Sequence, residues 1–310
     1  MSNVLIIKHG SLGDLIQANG AIKDIKNFYP NRKVFLLTTQ PYSIFMSECP
    51  YLDGVLIDKR LPRWNLFYLN NLKKTLSKYD FSKVFDLQNS SRTKFYKRFI
   101  IKNVEWSSTE TALEPGQKKK DFDQDPVLDR LEFQIKKSGV KTEFTKNIDL
   151  SWAVENTSHL VTKYTNREYI LLFPFCSPKL KNKKWPYYKE LIQKLKQEFK
   201  NKYSVLLAPG PNEIEEANEL NAKVVLENNE YVTLKTLVSL IYNAKLIIAN
   251  DTGPAHIASH LDKKGLVLFG SHTSAKKVSI ENFNFKAISV KKLDDLDVNT
   301  VLEEVKAKLG

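Results

Sequence analysis

The residues best suited to chemistry lie between positions 249 and 258, which read Ala-Asn-Asp-Thr-Gly-Pro-Ala-His-Ile-Ala. The apolar residues 245–248 before them predict a buried strand, and Pro254 has a φ angle suited to a first helical turn. A helix start offers free N–H groups that attract phosphate. Gly253 lets the backbone approach a ligand closely, and His256 can add a donor. The alternative is an ordinary turn with a capping side chain.

A second polar loop, residues 8–14, follows the apolar residues 4–7 and closes with Asp14. Gly10 and Gly13 have the spacing Gly-x-x-Gly instead of Gly-x-Gly-x-x-Gly, and a carboxylate there would repel a pyrophosphate. This spacing disfavours an NAD-dependent oxidoreductase. Asp14 is therefore interpreted either as a helix cap or as a carboxylate at the carboxyl end of a parallel strand, where open α/β sheets place their ligands.

Polar loops after two further strands carry groups suited to hydroxyls and anions. Gln88 and Arg92 supply an amide and a guanidinium, which suit hydroxyls and carboxylates respectively. Buried polar structure is the alternative explanation for this loop. Arg60 and Arg63 lie just past the strand predicted at residues 55–58, where they either bind an acidic ligand or form a solvated face.

Strands and helices alternate in two successive series, which predict an α/β fold with two facing doubly wound parallel sheets and a ligand cleft between them. We place the domains at residues 1–160 and 161–310. Residues 109–126 lack periodicity and are predicted to form a mobile loop without helix or strand, whose lysines meet membrane phosphate. Strands are predicted at residues 4–7, 33–39 and 55–58 and before Gln88, then at 169–173, 204–207, 223–226, 245–248 and 266–269.

The composition describes an ordinary soluble protein with an excess of basic residues. A formal charge of +13 is explained by an anionic membrane surface, an anionic substrate or lysine-rich composition without a role. Nucleic acid is not expected, because the lysines are scattered and no binding motif appears. No apolar run approaches the ~18 residues of a membrane span, and no secretion signal opens the chain. Cys49 and Cys176 form no metal-ligand pattern and fit a cytoplasmic, reduced protein.

Two of these motifs resemble a known enzyme family. Asp-Thr-Gly-Pro-x-His at 251–256 and Gly-Ser-x-Gly-Asp at 10–14 are similar to the signatures of glycosyltransferase family 9, the heptosyltransferases of lipopolysaccharide core synthesis. Asp-Leu-Gln-x-x-x-Arg at 86–92 resembles a less specific element of the family. So do Lys-x-Trp-Pro at 183–186 and the glycine-containing loop with a trailing glutamate at 208–213.

Two segments depart from the family pattern. The loop at 208–213 has Gly210 where family members commonly have two glycines. Residues 268–273 resemble the family's Phe-Gly-Pro-Thr segment but carry Ser271 in place of proline. The arginine that often follows is absent, with Lys276 and Lys277 in the region. The class of donor is therefore better indicated than its identity.

The resemblance implies a GT-B fold and an inverting, metal-independent transfer without a cofactor. A heptose or related sugar would pass from a nucleotide sugar, ADP-heptose in the family, to an anionic lipid-linked acceptor in peripheral contact with the inner membrane. The resemblance implies that Asp14 is the catalytic base and that Lys183 touches the donor diphosphate, with Lys184 as a rival for that contact. A solvent-facing lysine cluster is the alternative explanation of the two lysines. Donor contacts are predicted for Asp251, Thr252, Gly253, Pro254, His256, Lys184, Gly210 and Glu213, and acceptor contacts for Ser11, Gly13, Gln88, Arg92, Arg60 and Arg63.

Two alternatives to this function remain at this stage. The chain could be a nucleotide-sugar-binding protein that has lost catalysis, or a glycosyltransferase that uses another donor such as a UDP-sugar. The sequence leaves open the sugar, the acceptor, the oligomeric state and whether residues 109–126 become ordered when substrate binds.

Overall fold

A computed structural model describes residues 2–177 and 180–310, and the chain divides into two compact units, residues 1–152 and 153–310. The domain boundary predicted at residue 160 falls inside the second unit. Each unit is built on one parallel sheet, so the predicted α/β class with two parallel sheets is confirmed.

The sheet of the first unit has the strand order β3-β2-β1-β4-β5, with parallel pairing between neighbours. The order reverses between β1 and β4, which is the switch point where open α/β sheets bind ligands. The three-residue strand β5 was not predicted, because it is too short to show a pattern. The strands are β1 (Asn3–Ile7), β2 (Val34–Thr38), β3 (Gly54–Ile57), β4 (Phe81–Asp86) and β5 (Glu105–Ser107).

Helices cover this sheet, and two of them form in a segment where none was predicted. Residues 109–126, predicted to lack helix, contain two single-turn helices, α5 and α6. Ser108 caps the first by accepting from the N–H of Thr111, and a lysine–aspartate pair spaced i,i+4 supports the second. Single turns are too short for periodicity to reveal. The helices are α1 (Leu12–Phe28), α2 (Gln40–Ser47), α3 (Leu66–Leu76), α4 (Ser91–Phe99), α5 (Thr109–Ala112), α6 (Lys119–Phe122) and α7 (Val127–Lys137).

Helix α1 is held against a distant part of the first unit by a polar contact. The buried carboxylate of Asp24 accepts from the N–H groups of Glu143, Phe144 and Thr145 at 2.8–3.1 Å. Gly20 permits this approach, because a Cβ at that position would overlap the carbonyl oxygen of Phe144. The small side chain and the carboxylate together fix where α1 lies.

The sheet of the second unit has the strand order β11-β10-β9-β6-β7-β8, again with parallel pairs. Its order reverses between β9 and β6. The prediction at 223–226 is shortened to two residues, and β11 was missed because only its first residue is buried. The strands are β6 (Tyr169–Phe173), β7 (Ser204–Leu207), β8 (Lys223–Val224), β9 (Leu246–Asn250), β10 (Gly265–Phe269) and β11 (Phe285–Ser289).

The core of the second unit forms where α9 and α13 pack on the central strands. Trp185 is fully buried there and donates from its indole N–H to the carbonyl of Leu296 at 2.9 Å. Across residues 2–177 and 180–310, no helix has the length and apolar composition needed to cross a membrane. The helices are α8 (Ser158–Val161), α9 (Tyr188–Glu198), α10 (Ile214–Asn218), α11 (Leu234–Asn243), α12 (Gly253–His260) and α13 (Val298–Leu309).

Candidate active site

In the first unit, Asp14 lies in the first turn of α1, directly after the loop that leaves β1. Its Oδ2 accepts from the backbone N–H of Ser11 at 3.0 Å and from the Ser11 hydroxyl at 2.9 Å. The carboxylate thus caps the helix, as one interpretation of the sequence predicted. Its side chain is nevertheless 43% exposed. Capping and access to a ligand are therefore compatible.

A buried lysine beside Asp14 was not predicted as a site residue. The Nζ of Lys8 lies 3.6 Å from Asp14 Oδ1 and donates to the carbonyl of Leu87 at 3.1 Å. Burial lowers the pKa of Lys8, and the nearby Asp14 and Asp86 partly oppose that effect. Lys8 thus faces one oxygen of the Asp14 carboxylate while Ser11 bonds the other. The sequence did contain a signal for this residue, namely a lysine directly after the apolar run that forms β1.

The loops after β1 and β4 are joined at the switch point of the sheet. The Oε1 of Gln88 accepts from the backbone N–H of His9 at 2.9 Å. Asp86 is buried, accepts from the Gln88 N–H at 3.1 Å and has a pKa raised by burial. Of the predicted acceptor residues, Ser11 and Gly13 thus lie beside Asp14 at the start of α1, and Gln88 lies in the loop that is bonded to His9. Buried polar structure explains Asp86.

The three predicted arginines lie around the loop between β3 and α3. Arg92 donates to the carbonyls of Leu61 at 3.0 Å and Arg60 at 3.3 Å, so its guanidinium holds that loop. Arg63 donates to the Ser91 carbonyl at 3.4 Å. Arg60 and Arg63 are exposed. Acceptor binding by these arginines stays a prediction.

A buried polar network next to this loop was missed by sequence reasoning. Asp58 Oδ2 lies 2.9 Å from His9 Nε2 and accepts from the Tyr96 hydroxyl at 2.7 Å, while Tyr68 donates to Oδ1. Burial raises the pKa of Asp58, but hydrogen bonds from His9 and the two tyrosines outweigh it and bring the value to about 2. The network connects the loop after β1 to the end of β3. Its members are too far apart in sequence to suggest a cluster.

In the second unit, Asp251 is the centre of a buried charged cluster. Its Oδ2 lies 2.6 Å from Lys183 Nζ and 3.0 Å from His272 Nε2, and its Oδ1 lies 3.8 Å from His256 Nε2. The Asp251 side chain is 3% exposed. Burial lowers the pKa of His272. The nearby charge of Lys183 lowers this pKa further, and Asp251 raises it. One carboxylate thus holds an ammonium and two imidazoles beside the start of α12. His272 was not predicted.

The strand–turn–helix predicted around Asp251 is confirmed. β9 ends at Asn250, and α12 begins at Gly253 with Pro254 in its first turn. The Thr252 hydroxyl turns back to donate to the Asn250 carbonyl at 3.3 Å. The Thr252 side chain therefore does not cap α12, and a phosphate placed at this helix start would be stabilised by the helix dipole.

Asn250 fixes the loop after β6 beside this helix start. Its side-chain amide donates to the carbonyl of Pro174 at 2.8 Å, and its oxygen accepts from the N–H of Trp185 at 3.3 Å. The segment that carries Lys183 is thereby hydrogen-bonded at Pro174 and at Trp185 to Asn250, the last residue of β9. Sequence reasoning gave Asn250 no role, although a polar residue that ends a buried apolar strand was a usable signal.

The remaining predicted donor residues lie at the end of β7, beside β6. Glu213 accepts from the N–H of Gly210 at 2.7 Å, and burial raises its pKa. Lys184 pairs with Glu216, so Lys183, and not Lys184, reaches Asp251. Within the part of the chain that the structure describes, no group of three or more His, Cys, Asp or Glu side chains is arranged to hold a metal ion.

Known proteins resemble this chain over nearly its full length. Lipopolysaccharide heptosyltransferase 1 of Campylobacter coli is 23% identical, with 99% of this chain and 97% of the relative covered. The E. coli heptosyltransferase WaaC with ADP-2-deoxy-2-fluoro heptose has a TM-score of 0.74 at 20% identity, covering 98% of this chain and 99% of that one. A family 9 glycosyl transferase from Veillonella parvula has a TM-score of 0.76 at 14% identity, covering 99% and 97%. These structures show a GT-B-like fold.

The family model of glycosyltransferase family 9 (heptosyltransferase) matches residues 69–292. The match includes β6 to β11, with Lys183, Asp251 and His272, and begins after Asp14. Since it spans more than half of the sequence, the chain belongs to glycosyltransferase family 9, the heptosyltransferase family.

Proposed function

We propose that this protein transfers a heptose, or a related sugar, from a nucleotide sugar to an anionic, lipid-linked acceptor of the lipopolysaccharide core type. The observation that carries the proposal is the buried cluster of Asp251 with Lys183, His256 and His272 at the start of α12. Relatives named for heptose transfer to lipopolysaccharide, and a neighbour bound to an ADP-heptose analogue, support the same donor class.

The leaving group explains why the second unit needs this cluster. As the bond between the anomeric carbon and the diphosphate oxygen breaks, the nucleoside diphosphate gains negative charge. Lys183, His256 and the positive end of the α12 helix dipole would stabilise that charge by fixed electrostatic interactions. In this mechanism they do the work that a divalent metal does in other transferases.

The attacking group explains the role proposed for the first unit. An acceptor hydroxyl attacks the anomeric carbon from the face opposite the diphosphate, which inverts the configuration, and Asp14 takes the hydroxyl proton. Such base catalysis contributes about 10²–10⁴ in rate. Lys8 and Ser11 orient the carboxylate. Gln88 and the exposed Arg60 and Arg63 would bind the acceptor.

A second donor class is kept because this chain departs from the family pattern in two donor-side segments, residues 208–213 and 268–273. His272, which follows the position where the family has proline, contacts Asp251 directly. A UDP-sugar is therefore the second candidate donor. The proposed reaction takes place at the cytoplasmic face of the inner membrane, where the enzyme would meet a lipid-linked acceptor.

The test begins with a thermal-shift panel of ADP-, UDP-, GDP- and CMP-linked sugars on the purified protein. ADP-heptose is expected to give the largest stabilisation, because at equal concentration the ligand that binds the folded protein most tightly raises the free energy of unfolding most. Transfer to a lipopolysaccharide core acceptor is then measured for the wild type and Asp14→Asn. The variant should retain donor binding and lose at least about a hundredfold in kcat. Stabilisation without transfer by the wild type would instead identify a binding protein without catalysis.

A matched lysine pair tests the donor side. Lys183→Ala should weaken both donor binding and turnover, whereas Lys184→Ala, which loses the pair with Glu216 and a contact over the Phe175 ring, should leave donor binding close to the wild-type value. Equal losses in the two variants would contradict the assignment of Lys183 to the diphosphate.

A further inference from the structure

The loop between β3 and α3, together with the first turn of α3, exposes several large apolar side chains in one short stretch. Trp64 is 80% exposed, Phe67 77%, Leu66 74% and Leu61 39%. A single exposed apolar side chain is ordinary, but four within residues 61–67 form a patch of the kind that marks an interaction site. We refer to these four residues as the Trp64 patch.

The backbone that carries the Trp64 patch is fixed. Arg92 binds the carbonyls of Arg60 and Leu61, and Arg63 binds the carbonyl of Ser91 and lies over the Phe95 ring. Asn65 caps α3 by accepting from the N–H of Tyr68 at 2.9 Å. The apolar side chains are therefore held outward by an ordered loop, so binding through them costs little conformational entropy.

The charge around the Trp64 patch has one sign. Residues 59–79 contain six Lys or Arg and no Asp or Glu, and residues 87–104, which include α4, contain five and none. The two helices are neighbours, since the hydroxyls of Tyr68 and Tyr96 lie 3.0 Å apart. The basic residues of the first segment are Lys59, Arg60, Arg63, Lys73, Lys74 and Lys78.

We propose that the Trp64 patch docks the first unit on an anionic lipid bilayer, with Trp64, Leu66 and Phe67 entering the interfacial layer and the surrounding cations contacting lipid phosphate. Aromatic and aliphatic side chains next to lysines and arginines have the chemistry of interfacial binding. The inference rests on the proposed function for the choice of a lipid surface over a protein partner, because a lipid-linked acceptor is met at such a surface.

This surface replaces the one expected from the sequence. The three lysines at positions 118–120 were predicted to meet membrane phosphate, but residues 109–126 also contain five Asp or Glu. Lys119 is paired with Asp123 at 2.6 Å. That segment therefore has a net negative charge and is a poorer match for an anionic surface than residues 59–79.

Trp64 is a built-in probe of this docking. Of the four tryptophans, Trp106 and Trp185 are buried and Trp152 is partly buried. The full-length protein is titrated with vesicles of phosphatidylcholine alone or mixed in equal parts with phosphatidylglycerol. The mixed vesicles should shift the emission to the blue, and brominated lipid should quench it. Trp64→Phe should abolish the shift while leaving sedimentation with vesicles nearly unchanged.

The decisive variant is Leu66→Ser/Phe67→Ser, with Phe283→Ser as the matched control. Phe283 is 90% exposed but lies in the second unit. The double variant should lose about tenfold or more in vesicle affinity, and the control should bind like the wild type. Raising the salt from about 0.1 M to 1 M should weaken wild-type binding, because the Debye length falls from about 10 to 3 Å.

Two outcomes would overturn the proposal: wild-type protein that ignores the mixed vesicles, or a double variant that binds them as well as the wild type. The second outcome, combined with a raised KM for an acylated acceptor only, would assign the patch to the acceptor's acyl chains. Transfer to a deacylated, water-soluble acceptor is measured in parallel. Activity of the double variant on that acceptor separates failure of docking from failure of the proposed transferase function.

Discussion

The buried carboxylate of Asp58 makes a quantitative prediction about stability and pH. Its side chain is 1% exposed, and its hydrogen bonds to His9, Tyr68 and Tyr96 hold its pKa at about 2 against an ordinary value of 3.8. Each pKa unit corresponds to about 1.4 kcal/mol. Ionised Asp58 therefore contributes about 2 kcal/mol to the free energy of unfolding at neutral pH.

The direction of the pH dependence follows from proton uptake. Between the two pKa values the unfolded chain binds more protons than the folded chain, so stability rises with pH in that window. The Asp58 contribution is complete above about pH 5, and about half of it is lost by about pH 3. Asp58→Asn removes this titration. The difference in unfolding free energy between the wild type and Asp58→Asn should thus shrink by about 1 kcal/mol from pH 5 to pH 3.

The assay must report the first unit separately, because a chain of two units need not unfold in one step. Urea titrations followed by hydrogen exchange of the β1 and α1 peptides provide that separation. Asp80→Asn is the matched control, since Asp80 is an exposed carboxylate in the same unit. A wild-type-minus-variant difference that stays constant from pH 5 to pH 3 would refute the reasoning.

Three further predictions concern the sites and the fold. Asn250→Ala leaves the Trp185 N–H and the Pro174 carbonyl without their partner. The variant should lose about 2–3 kcal/mol of unfolding free energy in urea titrations and bind the donor more weakly. An unchanged donor affinity would contradict the positioning role of Asn250. Gly20→Ala should lower the free energy of unfolding by about 1–2 kcal/mol in thermal unfolding, although alanine has the better helix propensity. The reason is that the added methyl group meets the backbone carbonyl of Phe144. A stabilised variant would contradict this. Burial lowers the pKa of His272, so wild-type stability should fall as pH drops below about 6.5; His272→Gln should show a smaller fall in the same scan.

The sheets were predictable because parallel strands covered on both faces are continuous apolar runs. β1, β6 and β9 are buried almost throughout, and the sequence predicts all three. β5 and β11 escaped prediction, the first because it has three residues and the second because four of its five residues are not buried. Local pattern therefore predicted the centre of each sheet and missed one edge strand of each.

The site was predictable where one short motif carries it. The turn at Asp251 and the helix start at Gly253 depend on neighbouring residues, and both could be predicted. The contacts of Lys8, His9 and His272 depend on which strands lie side by side, and spacing along the chain does not contain that information. Lys183 was preferred over Lys184 only by resemblance, and the fold separates the two by directing Lys184 to α10.

The two-sided bonding of Asn250 has a consequence for mutational tolerance. The amide nitrogen of Asn250 must donate and its amide oxygen must accept, because the side chain bonds the Pro174 carbonyl and the Trp185 N–H at once. Aspartate has the same shape but offers two acceptors, and serine is too short to reach both partners. In a saturation library selected for activity, position 250 should therefore return asparagine almost alone, whereas exposed neighbours of the site, such as Lys276, should accept many residues.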